Sequence, residues 1–170
     1  MSAVVKLVVL DRETLLALAD GDLDSASAIA GLTFPSFFIG ESWLWRLHAE
    51  RMLEHPASVG WLARAVVLRD TGEVVGHAGF HFQPDATGMV EIGYTVLPER
   101  RGIGIAKAVV GELLDFVTGR DDVSVVRASI SPENAASLAV VASWDFELTG
   151  EQIDDEDGLE FVYERQPPLA

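Results

Sequence analysis

The chain has no cysteine among its 170 residues. Disulfides, thiol nucleophiles and cysteine metal sites are thereby excluded, and the absence is neutral to weakly favourable for a reducing compartment. Basic residues are also scarce, 12 against 27 acidic ones, for a formal charge of −15. A surface of that sign repels phosphate backbones and anionic bilayers, so neither nucleic acid nor a membrane is an expected partner. No run approaches the roughly 20 apolar residues that a bilayer-crossing helix needs. The first residues, Met1 to Lys6, lack the basic segment and long apolar stretch of an export leader, and a cytoplasmic location is expected. Internal repeats, linkers and low-complexity tracts are missing as well.

What is present points to a packed core. Nearly half the residues, 49%, are hydrophobic, which suits one domain over residues 1–170. Val4 to Leu10, short and β-branched, predicts a buried strand, and Asp11 is placed to cap a helix reaching Ala19. An Ala-rich helix from Ser25 to Ala30 and a loop over residues 31–40 follow. Ser42 predicts the cap of a stronger helix to Glu54, closed by His55-Pro56. Strands are predicted over 61–69 and 73–82, joined by the turn Asp70-Thr71-Gly72, and over 89–96. A Gly-rich connection leads to a helix ending about Thr118, then to a buried strand over 123–130. Ser131 and Pro132 read as the cap and first residue of a helix that ends near Trp144. Strands over 146–150 and 159–165 flank the acidic loop 151–158. This order predicts an α/β (α+β mixed) domain, a mixed sheet carrying helices.

The most informative segment is Glu91 to Lys107, EIGYTVLPERRGIGIAK. A strand runs into a loop with Gly102 and Gly104, and a helix begins there. Glycines let the backbone approach a ligand, and the unpaired N–H groups of a first helical turn bind anionic oxygens. Arg100, Arg101 and Lys107 concentrate positive charge in an otherwise acidic chain, so the segment reads as a phosphate cradle. A nucleotide P-loop is excluded because no Gly-Lys-Ser/Thr follows. A dinucleotide fingerprint would need glycine at Lys107, and Asp121 and Asp122 precede the next strand instead of closing it.

The segment resembles the coenzyme A loop of the GNAT acetyltransferase superfamily, Gln/Arg-x-x-Gly-x-Gly/Ala, matched by Arg101, Gly102, Ile103, Gly104, Ile105 and Ala106. A second block agrees: Asn134-Ala135-Ala136-Ser137 is similar to the family's Asn-x-x-Ala/Ser, with Phe146 twelve residues after Asn134. The preceding Glu-Ile-Gly-Tyr and Leu-Pro-Glu resemble the RimJ/RimL-like branch. The resemblance implies a mostly antiparallel twisted sheet of about seven strands with helices on both faces. It implies acetyl-CoA as cosubstrate, held by the loop from Arg101 through Lys107, by Asn134 and Ser137, and by the strand Tyr94, Thr95, Val96 and Leu97. One main-chain N–H of that strand would polarise the thioester, though the side chains do not tell which. Homodimers are common in the branch. Two departures stand out: a tyrosine acid seven residues after the asparagine is here Val141, and the glycine before Phe146 is Asp145.

Acetyl transfer to an amine requires loss of a proton from nitrogen and protonation of the leaving thiolate. Glu91, just before the cradle, is the candidate base, directly or through water; its alternative is to pair with a neighbouring cation or order the sheet edge. Ser137 is the candidate acid or sulfur partner, its alternative being structural. Without cysteine, direct attack in a ternary complex is expected over a covalent intermediate. No metal is expected, because His77 and His81 lie about 13 Å apart on one strand face and His48 and His55 are too far apart on their helix. The acceptor, a small-molecule or peptide amine, is expected near Phe34, Phe38 and Trp43, although core packing explains much of that aromatic content. Trp43 and Trp45 cannot both face the core. The acidic residues Asp154 to Asp157 suggest a cationic amine at the acceptor mouth. The other class open to such a chain is a non-catalytic acyl-CoA sensor of the same fold.

Overall fold

The computed structural model describes residues 4–169; Met1 to Ala3, where the leader reading begins, and Ala170 lie outside the described residues. The elements run β1 (Val5–Val9), α1 (Arg12–Ala19), α2 (Leu23–Ala30), α3 (Ser42–Glu54), β2 (Ala63–Leu68), β3 (Val74–Phe80), β4 (Met89–Val96), α4 (Ile105–Val117), β5 (Val125–Ile130), α5 (Ala135–Ala142), β6 (Glu147–Asp154) and β7 (Gly158–Arg165). The strands form one sheet in the order β1-β2-β3-β4-β5-β7-β6. Only β4 and β5 pair in parallel; every other neighbouring pair is antiparallel.

Each face of the sheet is covered by its own helices. On one, Ile105, Val109, Val110, Leu113, Leu114 and Val117 form the apolar stripe of α4 and pack on Val75, Phe80, Val90, Ile92 and Val126. On the other, Leu15 and Leu18 of α1 and Trp45, Ala49 and Met52 of α3 pack on Ala63, Ala65, Val67 and Val74. Strand alternation sorts the central residues between these layers. Val90, Ile92 and Val96 face α4, which leaves Glu91, Gly93 and Thr95 on the α3 side.

The pairing of β4 with β5 ends at Glu91 opposite Arg127. Beyond it β5 continues with β7 as its partner, and β4 continues with β3. The two strands splay, and a cleft opens between them.

Four local expectations are corrected. β1 is an edge strand with only Val5 buried, because nothing among the described residues pairs on its outer side. Ser42 does not cap α3: a short 3₁₀ turn, Ser36–Glu41, feeds straight into the helix and Ser42 is its first residue. Ser131 and Pro132 do not open α5; Asn134 is the cap, its side chain accepting from the Ser137 N–H at 3.1 Å. The chain before it is a turn held by Asn134 N–H to Ser131 O, and Pro132 only fixes that turn. β6 runs on to Asp154, well past Gly150, because its full length pairs with β7. Asp145 is the one non-glycine residue with positive φ among those described, at 56°, where the resemblance places a glycine.

Candidate functional site

The cradle is built from main chain. After the turn Pro98–Arg100, Gly102 and Gly104 adopt φ of +76° and +87°, and Gly104 caps α4. The first hydrogen bond inside the helix is Ala108 N–H to Gly104 O. The amides from Gly102 through Lys107 donate to no protein acceptor among the described residues. A Cβ built on Gly102 or Gly104 would meet nothing within 4 Å. The glycines therefore serve no internal packing; they supply a backbone shape and an open approach.

This loop forms the rim of a cleft of about 530 Å³ lined also by Tyr94, Thr95, Val96, Asn134, Ser137 and Val140. Such a volume is ordinary for a small-molecule site. Of the residues expected to hold the cosubstrate, Leu97 stays outside: it is buried and its N–H is committed to Val75 O at 2.9 Å. The Ile103 side chain points outward, 56% exposed, so only its amide belongs to the loop. Arg100 does not contribute free charge, because Glu73 binds it through three contacts of 2.5 to 3.0 Å. Arg101 braces the loop, its Nε donating to Val96 O at 2.9 Å, and its other guanidinium N–H groups stay free among the described residues.

Strand register decides which amides of β4 face the cleft. His81 N–H bonds Glu91 O, and Leu97 N–H bonds Val75 O. Antiparallel pairs alternate, so the odd-numbered residues of this stretch turn their amides to β3. Tyr94 and Val96 then direct theirs toward β5, into the gap left by the splay. Asn134 Oδ1 is occupied by its capping bond, which leaves its amide NH₂ to reach into the cleft and fixes Ser137 in the first turn of α5. The Tyr94 hydroxyl is enclosed without an aligned partner. Burial raises its pKa above the ordinary phenol value, while the nearby Ser137 side chain pulls it down.

On the α3 side lies a second cavity of about 650 Å³. Trp43, His48 and Arg51 of α3, His77 and His81, Gly93 and Asp154 to Asp157 of the β6–β7 turn line it. Tyr94 and Thr95 line both cavities, and there they meet. Phe34 and Phe38, expected at the acceptor, are instead buried behind the wall. Phe38 stacks on Trp45 at 5.1 Å and accepts its indole N–H at 2.7 Å. The core recruits these rings because α3 must bury Trp45, which leaves Trp43 exposed and at the cavity.

The imidazoles of His48 and His77 are buried, and His48 Nδ1 and His77 Nε2 are enclosed without a hydrogen-bond partner among the described residues. Burial lowers both to a pKa of about 4, so both are neutral at pH 7. Glu91 lines neither cavity; His81 lies over it, Nδ1 at 3.8 Å from Glu91 Oε1. In the sequence these histidines are legible only as candidate metal ligands spaced too far apart. Their shared strand parity, 77 and 81 with Glu91, Gly93 and Thr95 opposite, was the available signal, but it needed the β3–β4 register.

Comparison with known proteins identifies the domain. The family model for the acetyltransferase (GNAT) domain matches residues 16–147. A Bacillus licheniformis protein named uncharacterized N-acetyltransferase p20 is 29% identical over 86 residues, 51% of this chain and 48% of that one. The uncharacterized N-acetyltransferase YjdG of Bacillus subtilis is 27% identical over 99 residues, 58% and 59% of the two chains. The chain thus spans about half the length of the curated relatives it matches. RimL, the ribosomal L7/L12 alpha-N-protein acetyltransferase in complex with coenzyme A, aligns with a TM-score of 0.67 at 20% identity, covering 97% of this chain and 95% of that one. A spermidine N-acetyltransferase SpeG chimera from Vibrio cholerae and hSSAT aligns at 0.67 with 14% identity, covering 96% and 95%. At such identities the likeness is one of fold.

Proposed function

The chain belongs to the GNAT acetyltransferase family, and from that premise we propose that it moves an acetyl group from acetyl-CoA to a primary amine by direct attack in a ternary complex. The observation that carries this is the junction at Tyr94 and Thr95 of two cavities, one rimmed by unpaired amides and one open to an amine. The acetyl thioester supplies the activated carbonyl; everything else falls to the chain's own groups. The Gly102–Lys107 amides hold a diphosphate, and the Asn134 side chain holds the amide-bearing arm beyond it. The Tyr94 and Val96 amides polarise a carbonyl oxygen brought between the splayed strands, fixed donors being worth most where water is excluded. Ser137 stands where a leaving sulfur takes its proton, with the protonated Tyr94 hydroxyl beside it. Glu91 assists loss of the amine's proton through a group or water that reaches the cavity, since its own carboxylate lines neither cavity.

The acceptor we assign to this site is a cationic amine. Glu41 and Asp154 to Asp157 line the second cavity, with Arg51 the only lysine or arginine side chain lining it among the described residues. An ammonium group gains there from a field it would not meet at the phosphate cradle. The test is an acetylation panel of neutral, monocationic and polycationic amines with acetyl-CoA. Polycations should be preferred at low salt, with the preference falling as salt rises, and Glu91→Gln should lower kcat about 10- to 100-fold. A wild-type protein that binds acetyl-CoA yet acetylates no amine would establish the sensor instead.

A further inference from the structure

We infer that His81 is the group that takes the proton from the amine, with Glu91 as its positioning partner. This rests on the acetyl-transfer reading above and adds a residue to it. Along the α3 face of β4 the order is Glu91, Gly93, Thr95. Thr95 marks the junction with the cofactor cleft, and two residues of strand, about 7 Å, separate each position from the next. The His81 ring occupies the space above the middle one: a Cβ placed on Gly93 would lie 2.9 Å from His81 Nε2. His81 therefore stands between Glu91 and the place where the amine meets the thioester. Its side chain is 59% exposed, while that of Glu91 is 18% exposed and reaches neither cavity.

The ring orientation suits the task. Nδ1 faces the carboxylate at 3.8 Å, about one ångström short of a hydrogen bond. Closing that gap makes Nδ1 the protonated nitrogen and leaves the Nε2 lone pair over Gly93, on the cavity side. A carboxylate behind an imidazole also stabilises the cation that forms when the ring takes a proton. The other two imidazoles of the cavity, His48 and His77, are weak bases because burial holds them near 4. The charged and titratable groups facing His81 are Glu91 on β4, Asp154 at the end of β6, and His48 and Arg51 on α3. Arg51 also donates to the His81 carbonyl at 2.7 Å.

The proton count closes. The ammonium nitrogen gives one proton to His81 Nε2, and the freed lone pair bonds to the acetyl carbon as the carbon–sulfur bond breaks. Sulfur keeps that bond's electron pair and takes up a second proton from the nitrogen side through the junction. The proton on His81 leaves to solvent.

Two measurements test this. Imidazole ¹⁵N shifts of the cofactor-free protein should report His81 as the Nδ1–H tautomer in the wild type and as a mixture in Glu91→Gln. A wild-type Nε2–H tautomer overturns the inference. Kinetically, His81→Gln should lower kcat about 100-fold with acetyl-CoA affinity and melting point unchanged, and should flatten the acidic limb of the pH–rate profile. His81→Ala should recover activity on addition of free imidazole, because the removed ring leaves its own site open. Full activity with an intact acidic limb in His81→Gln, together with loss in Glu91→Gln, would make Glu91 the direct base. A wild type that transfers to no amine defeats the parent reading first, and the relay with it.

Discussion

The two cavities that meet at Tyr94 and Thr95 are built from different materials. The cleft proposed for the cofactor is largely main chain: amides from Gly102 to Lys107 and from a strand whose parallel partner has left it. The cavity proposed for the acceptor is mostly side chains, drawn from α3, β3, the start of the β3–β4 connection and the β6–β7 turn. A main-chain site depends on glycine φ values and on where a helix starts, and so tolerates wide change in its other residues. A side-chain site changes with every substitution in its wall. One fold can therefore keep its donor fixed and vary its acceptor.

The contrast can be broken most sharply at Gly104. A β-branched residue at φ +87° costs roughly 1–2 kcal/mol of backbone strain and pushes methyl groups into the cradle. Gly104→Val should weaken acetyl-CoA by more than about 100-fold in calorimetry while the circular dichroism spectrum is kept. An unchanged affinity would mean that the amides are not what holds the diphosphate.

Acid should separate the two halves next. Native His48 and His77 stay neutral down to about pH 4, whereas their ordinary value is 6.5. Between those limits the unfolded chain binds more protons, so stability falls as pH drops through that window. The loss is on the order of 2–3 kcal/mol for each histidine. Melting curves at pH 7.5 and 5 measure it, and His48→Gln with His77→Gln should flatten the slope. No histidine lines the cofactor cleft, so acetyl-CoA affinity of the folded protein should barely change there. A smaller effect is expected at Asn134→Ala, which removes the α5 cap. About 1 kcal/mol of stability and a melting point some 2–4 °C lower should accompany a misplaced Ser137 and weaker acetyl-CoA binding. An unchanged melting point would deny the cap its role.

Much of the donor half was readable from residue order. β4 was placed to the residue, and α4 and the Asp70–Gly72 turn nearly so, because glycines, caps and apolar periods act locally. The start of α5 differs from the expectation because Ser131-Pro132 satisfies the same local rule as Asn134, and only the turn before the helix chooses between them. Phe34 and Phe38 lie in the core, away from the expected pocket, for a different reason. An aromatic ring suits a core and a pocket equally, and the stack with Trp45 that buries Phe38 joins residues of separate elements.

From the chain alone came the alternation of elements, the loop chemistry and the kind of ligand that unpaired amides attract, since each depends on neighbours a few residues apart. The neutralisation of Arg100 by Glu73, the choice of Tyr94 and Val96 over Thr95 and Leu97, and the seat of His81 over Gly93 came only with the fold. Each of these depends on strand register or on contacts between distant segments, and such contacts leave no period or spacing in the sequence to be read.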